Sequence, residues 1–269
     1  MSNNSISDAL RSALTTAAAT RHLLVASDYD GVLSPIVSQP EDAVPNPASV
    51  AAIESAAALP NTSAAVVSGR ALADLSLLSG LPVGGPVTLI GSHGTESSTG
   101  FVTEVTDGDR ARLARIVAEF DTLATDYPGV RVEPKPISVA LHVRNAAPAD
   151  ADAALRRARD GAAGWDGVEA TEGKAVIELA VIKTSKGHAL DALRVRSGAD
   201  AVIYLGDDVT DEKAFAHLGA GDVSIKVGDG PTIARHRIPD TDTVATVLQF
   251  LLTQRSHIVI ADNRRDQTS

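Results

Sequence analysis

Two aspartates one residue apart, Asp28 and Asp30, close an apolar run, Leu23-Leu24-Val25-Ala26, and a glycine follows at once. An apolar run of four to eight residues stopped by a turn signal reads as a buried parallel strand. Open α/β sheets bind ligands at the carboxyl ends of such strands. Carboxylates placed there lose solvation and need a reason to stay charged. A bound cation supplies one, and Mg2+ takes hard oxygen ligands. A carboxylate can also carry a phosphoryl group as an aspartyl-phosphate. Taken alone, Asp-x-Asp-Gly serves equally well as a turn whose aspartate caps the backbone. The chemical reading therefore needs partners further along the chain.

Partners of the right kind follow in order. A second apolar run, Ala64-Ala65-Val66-Val67, stops at Ser68-Gly69-Arg70. Ser68 is either a helix N-cap or one wall of an anion site. A third run ends in Ser92-His93-Gly94-Thr95-Glu96, where His93 and Glu96 are candidate substrate contacts. Lys186 falls in the first turn of a helix opened by Thr184-Ser185, the end where the helix dipole disfavours a cation. An anion to be bound would account for it. Another apolar strand runs into Gly206-Asp207-Asp208-Val209-Thr210-Asp211-Glu212. Four carboxylates within six residues repel one another unless a cation or dense hydrogen bonding offsets them. Some of them cap the helix that begins near Asp211.

The elements that must hold these residues form two grammars. Strands alternate with helices over residues 1–104 and again over 183–269, including helices at 5–19, 48–59 and 242–253 and strands at 22–28, 63–67, 87–91, 201–205 and 223–227. Such alternation predicts a Rossmann-like parallel sheet, an α/β fold. Between these stretches, residues 105–182 read as strand pairs separated by helices, a small α+β unit inserted into the core. A short strand is expected at 101–105, and the tail from Ala261 is expected to be disordered. In the strand 138–144 of the insert, Val139, Leu141 and Val143 lie on one face, and Ser138, Ala140, His142 and Arg144 on the other. Lys174 and Glu178 share a face of the strand 174–180 in the same way. That polar face either meets solvent or binds a polyhydroxylated anion, with Lys135 in the preceding turn able to join it.

Composition narrows the function classes. The chain has 269 residues, 44% of them hydrophobic, and a net charge of −10. With no basic stripe, nucleic acid is excluded as a partner. No apolar run reaches the length of a membrane span, and no signal-peptide pattern opens the chain. Cysteine is absent, which rules out disulfides and thiolate metal sites. These features predict a cytoplasmic protein acting on a small anionic molecule.

The ordered set of motifs resembles the haloacid dehalogenase superfamily of aspartyl-phosphate phosphatases. Within it, the chain is similar to the trehalose-phosphate phosphatases over roughly residues 20–250. Besides the motifs above, the residues that carry this are Glu133-x-Lys135-x-x-Ser138-x-x-x-His142-x-Arg144 and Gly173-Lys174-x-x-x-Glu178. The resemblance implies a Mg2+-dependent hydrolysis of trehalose 6-phosphate, a small sugar phosphate, through an aspartyl-phosphate. Asp28 would be the nucleophile and Asp30 the general acid and base. Mg2+ would be held by Asp28, the carbonyl of Asp30 and Asp207, with Asp211 in support. Ser68 and Lys186 would hold phosphoryl oxygens. Arg70, His93, Glu96, Glu133, Lys135, Ser138, His142, Arg144, Lys174 and Glu178 would bind substrate, most of them from a mobile cap formed by the insert. A trehalose-phosphate synthase is the implied working partner. Val32 departs from the superfamily pattern, which usually has Thr there. Sucrose-phosphate and mannosyl-3-phosphoglycerate phosphatases share the core motifs and stand as alternatives, as does a silent sugar-phosphate-binding module.

Overall fold

The computed structural model describes residues 6–99, 105–173, 175–182 and 185–266, with side chains up to residue 258. The chain divides into two compact units, Met1–Val102 with Thr184–Ser269, and Thr103–Lys183. In chain order the first unit opens with α1 (Asp8–Ala18), β1 (Leu23–Ser27), α2 (Pro47–Ala57), β2 (Thr62–Val67), α3 (Leu72–Ser79), β3 (Val87–Gly91) and β4 (Glu96–Ser97). The second unit follows, with α4 (Asp107–Asp126), β5 (Arg131–Pro134), β6 (Ser138–His142), α5 (Pro148–Asp160), β7 (Glu169–Gly173) and β8 (Val176–Ala180). The first unit resumes with α6 (Lys186–Ser197), β9 (Ala201–Gly206), α7 (Val209–Phe215), β10 (Val223–Val227), β11 (His236–Ile238) and α8 (Thr241–Asp266).

The seven strands of the first unit lie in the order β11-β10-β9-β1-β2-β3-β4. All neighbours are parallel except β4, which turns back against β3. Strand β1 is central and buried at every residue, so both its faces are apolar. Leu23 and Val25 face a core shared with Leu10 and Leu14 of α1, Ile53 of α2 and Val244 and Leu248 of α8. Leu24 and Ala26 face Leu190 and Leu193 of α6 and Phe215 of α7. Covering both faces is what a parallel sheet requires. Register then sets the site. Ser27 is level with Val66 of β2 and Leu205 of β9. Asp28, Ser68 and Asp207 therefore emerge together at one end of the sheet. Val32 is fully buried in the apolar core, a position that needs no hydroxyl.

The second unit is a four-stranded antiparallel sheet in the order β5-β6-β8-β7. Val139, Leu141, Ile177 and Leu179 pack with Phe120 and Leu123 of α4 and Ala154 and Ala158 of α5. The opposite face carries the polar residues. Helix α4 starts on a capping box in which Thr106 and Asp109 satisfy each other's backbone donors, a strong local stop for the preceding chain.

The structure corrects two sequence-based expectations. The helix expected at 242–253 continues through residue 266, so the backbone from Ala261 to Asp266 is helical rather than disordered. The strand expected to reach Arg144 ends at His142, and a turn closed by Ala146 N–H to Val143 O carries Arg144, exposed, off the sheet face. Most of the strand expected at 101–105 lies outside the described residues. Among the described residues, no helix is long and apolar enough to cross a membrane.

Candidate active site

Asp28 leaves the end of β1 almost fully buried. Its backbone N–H bonds Leu205 O at 2.9 Å, which ties it to β9. Its Oδ1 accepts from Tyr29 N at 2.6 Å, and its Oδ2 accepts from Lys186 Nζ at 2.6 Å. Lys186 is the first residue of α6, behind the N-cap Ser185, and only 2% exposed. It also donates to Asp211 Oδ1 at 2.9 Å. The cation that seemed misplaced on the helix dipole thus serves two carboxylates.

The acidic cluster after β9 divides by role. Asp211 is completely buried, and each of its oxygens has two donors: Lys186 and the Tyr204 hydroxyl on Oδ1, and the N–H groups of Asp207 and Asp208 on Oδ2. It is committed to shaping the loop. Asp208 caps α7, accepting from Thr210 N and Asp211 N at 2.8 and 3.1 Å. Asp207 remains open to the cleft, and the buried Lys226 of β10 donates to its carbonyl. One oxygen each of Asp28, Asp207, Asp208 and Asp211 lie within 4.8 Å of one another.

Electrostatics show what this group lacks. Burial pushes the Asp28 carboxyl well above its ordinary pKa; Lys186 opposes the shift and Asp211 adds to it. Burial and the neighbouring Asp211 and Asp208 raise Asp207 to about 6. Burial works against the Lys186 ammonium, yet Asp28, Asp211 and Asp208 outweigh it and raise its pKa. Gly31 lies over this group with φ +75, and a Cβ there would fall 2.1 Å from Asp207 Oδ2. Only glycine both adopts that backbone and leaves room for the carboxylate. A crowded set of hard oxygens short of positive charge fits Mg2+. Asp28, with one donor on each oxygen, and Asp207 keep lone pairs that could hold it; Asp211, expected in support, has two donors on each oxygen and stands behind them.

Asp30 turns away from the carboxylate group. Arg70 Nε and Nη2 donate to its two oxygens at 2.7 and 2.6 Å, a two-pronged ion pair. The hydrogen bonds to Asp30 raise the Arg70 pKa. Arg70, expected to contact substrate, is thus engaged by the chain itself. Ser68 does not cap a helix, because α3 starts at Leu72 behind Ala71. Its Oγ accepts from Arg70 N at 3.2 Å, and it faces the cleft. The α3 N-terminus is met by Glu96, whose Oε2 accepts from Leu72 N at 3.0 Å while Oε1 accepts from Ser92 Oγ at 2.6 Å. Glu96, expected as a substrate contact, has both oxygens bound within the chain. Ser92 and His93 both have positive φ, 48 and 56. This left-handed pair is costly for residues with a Cβ. It is held by Ser92 N–H to Arg70 O and His93 N–H to Ser68 O, and it sets the His93 ring against Gly69. Asp28, Asp30, Ser68, Arg70, His93, Lys186 and Asp207 line one open cleft of about 450 Å3, with Ile36 and Val37 also on its wall.

The second unit gathers its own expected residues. Glu178 of β8 accepts from Lys135 Nζ at 2.8 Å and from Ser138 Oγ at 2.6 Å. Glu133 Oε2 and His142 Nε2 are 2.7 Å apart. Register aligns Glu133, Ala140, Glu178 and Thr171 across the sheet. Five of the expected residues therefore share one polar face, while Arg144 sits in a turn and Lys174 lies outside the described residues. Tyr204 and Lys226 were missed inside apolar strands, although a charged residue in such a strand is itself a signal.

The family model described as trehalose-phosphatase matches residues 26–239. The chain is similar to the trehalose-phosphate phosphatase of Mycobacterium marinum, 37% identical, covering 85% of this chain and 61% of the relative. It is similar to the trehalose-6-phosphate phosphatase of Escherichia coli at 30% identity, covering 84% and 85%. A solved trehalose-6-phosphate phosphatase related protein superposes with a TM-score of 0.62 at 29% identity, covering 86% and 97%. A haloacid dehalogenase-like hydrolase from B. subtilis shares the fold alone, with a TM-score of 0.56 at 15% identity, covering 84% and 98%. The chain spans about three fifths of the length of the first curated relatives it matches.

Proposed function

The chain belongs to the trehalose-phosphatase family, and from that premise we propose that it hydrolyses trehalose 6-phosphate to trehalose and inorganic phosphate, the last step of trehalose synthesis. The observation that carries the chemistry is the buried Asp28 carboxylate, 2.6 Å from Lys186 and grouped with Asp207 in a cation-ready cluster.

Phosphoryl transfer asks for an in-line nucleophile, charge neutralisation and a proton donor. Asp28 attacks phosphorus, the bond to the sugar oxygen breaks, and Asp30 gives that oxygen its proton. Water then attacks the aspartyl-phosphate, Asp30 takes the water proton, and the phosphorus bond to Asp28 breaks to release phosphate. Lys186 and Ser68 hold the phosphoryl oxygens. Asp28, Asp207 and the Asp30 carbonyl would hold Mg2+, which would supply charge neutralisation. Splitting one displacement into two lowers each barrier, and Asp30 contributes about 10²–10⁴-fold as acid and base. Glu133, Lys135, Ser138, His142 and Glu178 on the polar sheet face of the insert bind the sugar hydroxyls. A trehalose-phosphate synthase supplies the substrate.

Phosphate release with Mg2+ tests the reading across trehalose 6-phosphate, sucrose 6-phosphate, mannosyl-3-phosphoglycerate, glucose 6-phosphate and p-nitrophenyl phosphate. The expected kcat/KM for trehalose 6-phosphate exceeds the others by about 10²-fold, close to 2.7 kcal/mol. Equal rates on all five would remove the sugar assignment and leave the phosphatase. Asp28→Asn is expected to abolish release from every substrate, and retained turnover would sink the nucleophile assignment.

A further inference from the structure

We infer that Arg70 is the positioning residue for the hydrolytic half of the reaction, its guanidinium fork holding the Asp30 carboxylate in the pose from which it takes the proton of the attacking water. The inference rests on the reading of Asp30 as acid and base. It assigns Arg70 to a reaction step rather than to the substrate.

The geometry is that of a built support. The two prongs at 2.7 and 2.6 Å fix both the direction and the plane of the carboxylate, which a single-point ammonium does not do. Arg70 is itself fixed from several sides. Its N–H is bonded to Ser68 Oγ and its carbonyl to Ser92 N–H. Its guanidinium lies 5.6 Å from the centre of the Tyr29 ring. Tyr29 is completely buried, with its hydroxyl on Ala43 O at 2.7 Å. The residue between the two aspartates is therefore the floor on which the arginine rests. The strained Ser92-His93 turn holds the other side. Such over-determined strain clusters where a site needs exact placement.

The occupancy of Asp30 favours the second half of the reaction over the first. A carboxylate has about four lone-pair positions, and the fork uses two. The others remain for water, and the Asp30 side chain is 37% exposed on the cleft. In this pose Asp30 is an acceptor. It suits the step in which a proton leaves water as its oxygen bonds to phosphorus, and the aspartyl oxygen departs as the Asp28 carboxylate.

Rapid mixing with p-nitrophenyl phosphate separates the two halves, because nitrophenolate leaves without needing a proton. Arg70→Gln is expected to form about one nitrophenolate per enzyme in a burst and then turn over about 10²-fold more slowly than wild type, with KM falling by about the same factor because dephosphorylation then limits turnover. Arg70→Lys keeps the charge without the fork and is expected to show the same burst, which also covers the case in which Arg70→Gln fails to fold. Asp30→Asn is the reference and is expected to burst as well. A burst in Asp30→Asn with none in the Arg70 variants would overturn the inference alone. So would a raised KM at unchanged kcat, the mark of a substrate contact, or full activity in Arg70→Lys. Absence of a burst in Asp30→Asn would overturn the acid–base reading and the inference with it.

Discussion

Asp207 stands at the boundary between a carboxylate that must be charged and one that would rather not be. Its pKa of about 6 in the metal-free protein comes from burial and from Asp211 and Asp208. An unfolded aspartate titrates near 3.9. Between about pH 6 and 4 the folded chain therefore binds more protons here than the unfolded chain. By linkage the metal-free protein gains stability from this group as pH falls through that window. Mg2+ reverses the sign, since protons compete for the same oxygen. Mg2+ affinity is expected to be flat above pH 7 and to fall by up to about tenfold per unit below 6. Thermal unfolding against pH, with and without Mg2+, should show the stabilising effect of Mg2+ shrinking as pH drops. A gap that stays constant from pH 7.5 to 5 would count against Asp207 as a ligand. At this scale the sequence was most readable where a residue offended its surroundings. Asp28 and Asp207 ended apolar strands, and Lys186 sat at the wrong end of a helix. Arg70 offended nothing, and its pairing with Asp30 crosses 40 residues, a relation no local pattern carries.

Among the elements, α8 does more than cover the sheet. Arg255, in the second half of α8, is 3% exposed. It donates to the carbonyls of Ala18, Thr20, Arg21 and Asn61 and to the Thr62 hydroxyl. These groups belong to the end of α1, the loop into β1 and the start of β2. One guanidinium gathers the helix-end carbonyl of Ala18 together with carbonyls of the loops that flank β1. Arg255→Met is expected to destabilise the protein by about 3 kcal/mol, because buried carbonyls lose their donors. Urea unfolding would measure it; a change below about 1 kcal/mol would show that water replaces the side chain. The strands of the core were legible because both their faces are apolar and turn residues end them. The lengths of β6 and α8 were not. Where β6 stops is set by the turn that Ala146 N–H to Val143 O closes and by the positive φ of Ala175 opposite it, and α8 persists through a polar stretch whose composition alone suggested disorder.

For the molecule as a whole, each unit has its own apolar cluster. That of the insert joins α4 and α5 to its sheet and is built from residues of the insert alone. Residues 105–182 made as a separate chain are therefore expected to fold, with a cooperative thermal transition by circular dichroism. A featureless spectrum would show that the insert needs the rest of the chain. The two-unit organisation was readable as a change of grammar near 105 and its reversal near 183.

The central place of β1 has a consequence for the chain as it leaves the ribosome. One edge of β1 finds β2 soon after both emerge, but the other waits for β9. Asp28 likewise waits 158 residues for Lys186. Throughout that interval an apolar strand edge and a buried carboxylate lack their partners, while the insert, made in between, is free to fold. A nascent chain halted before residue 200 should thus carry a finished insert beside an unclosed sheet. It is at that stage of synthesis, more than in the finished protein, that a chaperone would find something to hold.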